Sequence, residues 1–128
     1  MALKSNKKGL SSPPVGVKSA AYSSKFYAAL HKHVQAHFSN VEHDKAFVCG
    51  DGVVLGSVWA LAQHLRVMNS LMYSHHVNDV KNDFAVWLRD VHAENGLANR
   101  LLSAQDQQHA SKIIANHVVT RLHEAAHG

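Results

Sequence analysis

From Ser19 to the end of the 128-residue chain, apolar side chains return at three- and four-residue intervals, and the pattern is broken convincingly at one place only. That period belongs to helices lying with one face on a core. Tyr22, Phe26, Leu30, Val34 and Phe38 recur every fourth residue, with Ala29 and His37 beside them. Ser19 is placed to open this helix and Ser39-Asn40 to end it. Val58, Leu61, Ala62, Leu65 and Met68 form a second stripe behind Ser57, and Ser70 opens a short third helix. Val80, Phe84, Trp87, Leu88 and Val91 form the cleanest stripe, with Asn78 and Asp79 as its caps and Asn95-Gly96 as its stop. A short helix near 97–102 follows. A last one, from about Ser103–Asp106, carries Ile113, Ile114, His117, Val118, Leu122 and Ala125. The interruption is Gly50-Asp51-Gly52 between two short apolar runs, 46–49 and 53–55. An Asp-Gly pair there signals a hairpin, since such turns need positive φ. The expected fold is mainly α: one helical domain over 19–128 with one short hairpin at about 46–56.

Residues 1–18 lack that period and contain Pro13-Pro14, which disfavours helix. They read as a disordered basic arm. Residues 1–41 hold six lysines and no acid, whereas 42–128 hold seven Lys or Arg against nine Asp or Glu, so the basic excess lies entirely in the front third. Such asymmetry suits an acidic partner, with Lys4, Lys7, Lys8 and Lys18 as the contact residues. A solubilising tail, or a mitochondrial presequence, would have similar composition. Cys49 is the only cysteine, which excludes an intrachain disulfide or cysteine-based zinc cluster and fits a cytoplasmic or other reducing compartment. No apolar run is long enough to span a bilayer, so no membrane partner is expected.

Between Phe47 and about Leu101 the residues form an ordered string. Phe47 and Asp51-Gly52 lie in the hairpin; Ser57, Leu61, Leu65 and Met68 follow. Then come Tyr73, His76-Val77-Asn78, Asn82-Asp83-Phe84, Trp87, Val91 and Leu97-Ala98. The core of this string, Y-x-x-H-V-N-x-x-x-N-D-F-x-x-W, resembles an uncharacterised prokaryotic, mostly archaeal, family of domains of unknown function. The resemblance covers about two fifths of the chain and implies a hairpin leading into helices; it supplies no activity. The basic arm and the histidine load depart from the acidic surface of that family.

Twelve histidines invite chemical readings. His76, Asn78, Asn82 and Asp83 form a candidate polar site at one turn, since a His/Asp pair is half of a general-base arrangement. The same residue types also cap helices and close turns, and no nucleophile is placed beside them. His123-Glu124-Ala125-Ala126-His127 matches H-E-x-x-H, which on a helix would set two imidazoles on one face with Glu as base. Gly128 ends the sequence, however, and no downstream third ligand follows. His33 and His37 are also one turn apart and could grip a metal weakly, with His31 and His43 nearby and no further ligand identifiable. No phosphate loop, nucleophile elbow or paired-carboxylate spacing is present. Arg66, Arg89, Arg100 and Arg121 are dispersed among acids.

The sequence therefore points to a non-catalytic interaction or assembly module, without a cofactor, joining a protein complex or a homo-oligomer through its arm. One alternative is a nucleic-acid-associated protein using the same lysines on phosphates. The other is a metal-binding protein or metal-dependent hydrolase using His123 and His127.

Overall fold

A computed structural model describes residues 24–127. The arm, Ser19 and Tyr22 lie outside that range, as do Lys4, Lys7, Lys8 and Lys18. Six helices and two small antiparallel hairpins follow one another: α1 (Ser24–Phe38), β1 (Phe47–Val48), β2 (Val54–Leu55), α2 (Val58–Val67), α3 (Ser70–His76), β3 (Val77–Asn78), β4 (Lys81–Asn82), α4 (Asp83–Asp90), α5 (Asn95–Leu101) and α6 (Gln107–His127). The mainly α reading holds, and the Gly50-Asp51-Gly52 hairpin is present. It pairs Phe47 with Leu55 and Val48 with Val54, and Gly52 takes a φ of 92° at its tip.

The core lies where α2 crosses α6 and where α4 and α5 close over it. Val58, Leu61, Ala62 and Leu65 of α2 are fully buried, with Ile114 and Val118 of α6 and Phe84, Leu88 and Leu97 from the other layer. Burying a Leu or Ile side chain stabilises by roughly 1.5–3 kcal/mol, so this seam carries much of the fold. Polar threads cross it. Ser111 Oγ donates to the Ala62 carbonyl at 2.8 Å, and Gln107 Nε2 donates to the Leu65 and Met68 carbonyls at 2.8 and 2.6 Å, where α2 has run out of partners of its own. Ser57 caps α2 as expected, its side chain accepting the Ala60 N–H.

Three expectations need correction. The helix assigned to Val80 onward begins at Asp83: Asn82 accepts the Ala85 N–H at 3.0 Å and caps it there. Asn78 and Asp79 instead enter a second hairpin, β3–β4, with Val80 exposed at its tip (88%). Asn78 Oδ1 accepts the Val80 N–H, an Asx turn in place of a helix cap. The stop after α4 is not Asn95-Gly96, which open α5, but Ala93 at φ 55°. There the Ala93 and Glu94 N–H groups fold back onto the Arg89 and Leu88 carbonyls. Finally, the buried stripe of α1 is not carried by Val34, which is exposed; a strict four-residue repeat drifts around a helix of 3.6 residues per turn. His37, beside that stripe, is buried in its place.

Candidate functional site

Within the Tyr73–Trp87 string, the polar side chains bond inside the fold. His76, at the end of α3, is 5% exposed and lies edge-on to Phe47 and against Phe84. Its Nε2 accepts the Gly50 N–H at 3.0 Å and its Nδ1–H donates to Asp83 Oδ2 at 3.0 Å. Both ring nitrogens are thus committed, the lone pair to a backbone amide, and the tautomer is fixed as neutral. Lys81 Nζ reaches the same Asp83 oxygen at 2.8 Å. Burial acts to raise the Asp83 carboxyl, but the hydrogen bonds from Lys81 and His76 outweigh it and leave the group below its usual value. Asn82 caps α4, Asn78 closes its turn, and Trp87 Nε1 donates to the Lys45 carbonyl at 2.8 Å. The four candidate polar residues do gather at one hairpin, yet no proton-accepting lone pair is left on the imidazole. Nearby Cys49 is buried, and burial, with Asp51, pushes its thiol up to about 11, far from a thiolate at neutral pH.

The C-terminal H-E-x-x-H string lies on the last turns of α6. The His123 and His127 rings are 4.3 Å apart and exposed, and Glu124 faces Arg121 at 3.6 Å. No third ligand joins them among the described residues.

His33 and His37 lead elsewhere. They sit one turn apart on α1, where it lies against α6, and their rings are 4.3 Å apart. His33 Nε2 donates to the Val118 carbonyl at 3.2 Å; burial lowers its proton affinity, an effect partly offset by that bond. His37 turns the other way. Its Nδ1–H is held by the His33 carbonyl at 3.2 Å, and its Nε2 meets Glu94 Oε2 at 2.7 Å. The other oxygen, Oε1, accepts from His117 Nε2 at 3.1 Å. His117 Nδ1 in turn accepts from Arg100 Nη2 at 2.6 Å. One carboxylate from the α4–α5 junction therefore bridges imidazoles from α1 and α6. Among the described residues this is the one group of three His, Cys, Asp or Glu whose ligand atoms fall within 4.8 Å of one another.

Proton counting defines its electrostatics. The His117 and His37 hydrogen bonds hold the Glu94 carboxyl far below the ordinary carboxylate range, against burial. An ionised Glu94 can only accept, so each Nε2 facing it must carry hydrogen. His37 Nδ1 faces a second acceptor, the His33 carbonyl. His117 Nδ1, by contrast, accepts from Arg100. The imidazoles are about 95% buried and Glu94 about 80%. A cleft of about 550 Å³ opens on the outer side, lined by Arg100, Ser103, His109, Asn116, His117 and Arg121 among others.

Glu94, His117 and Arg100 were not singled out as site residues by the sequence. His117 stood within an apolar register, and Glu94 lies 57 positions from His37. A histidine in the apolar stripe of α6 was the one local signal. Comparison with known proteins leaves the assignment to this geometry: no family model, curated protein or solved structure matches the chain.

Proposed function

We propose that the chain is a non-catalytic interaction or assembly module that contacts an acidic partner or larger complex through its basic N-terminal third. The observation that carries this reading is charge segregation. Every one of the first 41 residues that bears full charge is a lysine, while the remainder carries more acid than base. Lys25 and Lys32, the lysines of that third within the described range, are both exposed on α1, a helix without acids. The imidazole seam to α6 docks α1 on the body, giving the lysine-bearing segment a defined point of attachment. Exposed Val80, Val86 and Leu102 also line a groove of about 450 Å³ beside β3–β4, a surface on which a partner could bury apolar area. Among the described residues no helix is long and apolar enough to cross a membrane.

The test is native purification of the full chain, followed by identification of what accompanies it, with and without residues 1–18. A defined protein complex that resists nuclease and is lost with the deletion is the expected result. Nucleic acid released by moderate salt would replace this reading with phosphate binding through Lys4, Lys7, Lys8 and Lys18. A chain that purifies alone in both forms would end both.

A further inference from the structure

We infer that His37, Glu94 and His117 form a binding site for a first-row divalent cation, zinc foremost, with a His₂Glu ligand set. Three features of the structure support it. The ligands come from three separate parts of the chain, α1, the α4–α5 junction and α6, so their convergence is a product of the fold and not of local histidine density. Their donor atoms are already close: 2.7 and 3.1 Å separate the carboxylate oxygens from the two Nε2 atoms, and the whole set falls within 4.8 Å. Tetrahedral zinc with bonds near 2.0–2.1 Å needs donors about 3.3 Å apart, so shifts of a few tenths of an ångström suffice for the two contact pairs. The third feature is orientation. A metal-bound histidine characteristically donates its other N–H to a carbonyl or carboxylate, and His37 Nδ1–H already does so to the His33 carbonyl.

The cation takes the place of hydrogen between each Nε2 and Glu94. His37 coordinates through its Nε2 lone pair while Nδ1–H stays on the His33 carbonyl, and any proton displaced from Nε2 passes to solvent. His117 must present Nε2 in the same way, so its single proton moves to Nδ1, the atom to which Arg100 now donates. Arg100 therefore has to leave. It is exposed and borders the open cleft, which gives the guanidinium somewhere to go. Arg100 thus opposes the metal twice, by its charge and by occupying the wrong side of the imidazole. Glutamine at this position would be neutral and could accept the Nδ1–H through its carbonyl oxygen, as a supporting partner of a bound histidine does.

The experiment uses the full chain without an affinity tag, stripped with chelator and titrated with Co²⁺ and then Zn²⁺. To remove the exposed pair at the end of α6, the same titration is run in His123→Ala/His127→Ala. One equivalent of cobalt is expected to give the visible absorption of a four- or five-coordinate ion, displaced by one equivalent of zinc, unchanged by the double substitution. Glu94→Gln and His117→Ala should each weaken binding at least about tenfold. Arg100→Gln should tighten it several-fold, which a purely structural role for the cluster would not produce. The proposal falls if no saturable one-to-one site is found, if the site disappears with His123 and His127, or if Glu94→Gln leaves it intact. Should Glu94→Gln and His117→Ala fail to fold, Arg100→Gln decides: tighter binding supports the site, and equal or weaker binding overturns it.

Discussion

Two carboxylates in this protein each hold a buried histidine, and they solve the proton problem in different ways. At the second hairpin, Asp83 takes one N–H from His76, whose other nitrogen is engaged by the Gly50 amide, with Lys81 on the surface side. Everything there is satisfied by a neutral imidazole. Between α1 and α6, Glu94 takes two imidazoles, with the His33 carbonyl behind His37 and Arg100 behind His117. The first arrangement joins His76 to Asp83, seven residues on, and ties the pair back to Gly50 in the first hairpin, 26 residues away. The second joins positions 57 and 23 residues apart, and fixes how the first and last helices meet. A knot around one neutral ring needs only good geometry; one that sets two imidazoles and a guanidinium about a single carboxylate also sets charge against charge in a partly dry interface, and its members depend on each other.

The largest expected effect follows from that dependence. Glu94→Ala leaves His37, His117 and, behind it, Arg100 without the carboxylate that joins them. Removing one partner of a buried ionic network costs about 3 kcal/mol or more, and urea denaturation at pH 7 should show a loss of that size. His76→Ala removes a neutral partner, exposing the Gly50 amide and Asp83 to water access and losing contacts with Phe47 and Phe84. A loss of about 2 kcal/mol is expected. If His76→Ala proves costlier than Glu94→Ala, the contrast between the two arrangements is wrong.

This contrast also explains what the sequence could and could not disclose. Apart from Gly50, the hairpin knot lies within Tyr73–Trp87, so most of its parts were visible as a compact string of residues with capping and turn chemistry. What stayed hidden was detail: Asn78 and Asn82 are both competent caps, and only the pairing of Val77 with Asn82 decides that the later one starts α4. The six helices were legible because amphipathic spacing is local. The Glu94 cluster is a matter of tertiary structure. His37 and His117 are 80 positions apart, and each alone resembles a histidine on an apolar face. Spacing pointed instead to His33 with His37 and to His123 with His127. The fold sends His33 to a carbonyl and leaves the terminal pair at the surface.

Ala93 offers a way to sharpen the comparison without touching either knot. It occupies the left-handed region at φ 55°, and its turn delivers Glu94 to the two imidazoles. An L-residue there carries a cost of about 1–2 kcal/mol that glycine avoids, partly offset by glycine's greater freedom when unfolded. Ala93→Gly should therefore stabilise the chain by about 0.5–1 kcal/mol in the same denaturation experiment. It should do so in the wild-type background and less in Glu94→Ala, where correct delivery of residue 94 no longer matters. Equal stabilisation in both would mean that the turn and the cluster are independent.

The smallest effect concerns Asp83 and acid. Its carboxyl is held below the ordinary value of 3.8 by Lys81 and His76 against the opposing pull of burial, so the folded state binds the proton less readily than the unfolded one. The sign follows directly. Stability from this group is present above about pH 4 and is lost as the pH falls through the lower folded value. Asp83 is about a third exposed, and a surface pair of this kind is worth less than about 1 kcal/mol after solvent screening. Asp83→Asn should accordingly be slightly less stable than the parent chain at pH 6, and the gap should close as the pH falls through the folded-state value, by thermal unfolding across the acid range. A gap that persisted in acid would show that the Asp83 side chain acts through its shape or its neutral hydrogen bonds, and would remove the charge from the account of the hairpin knot.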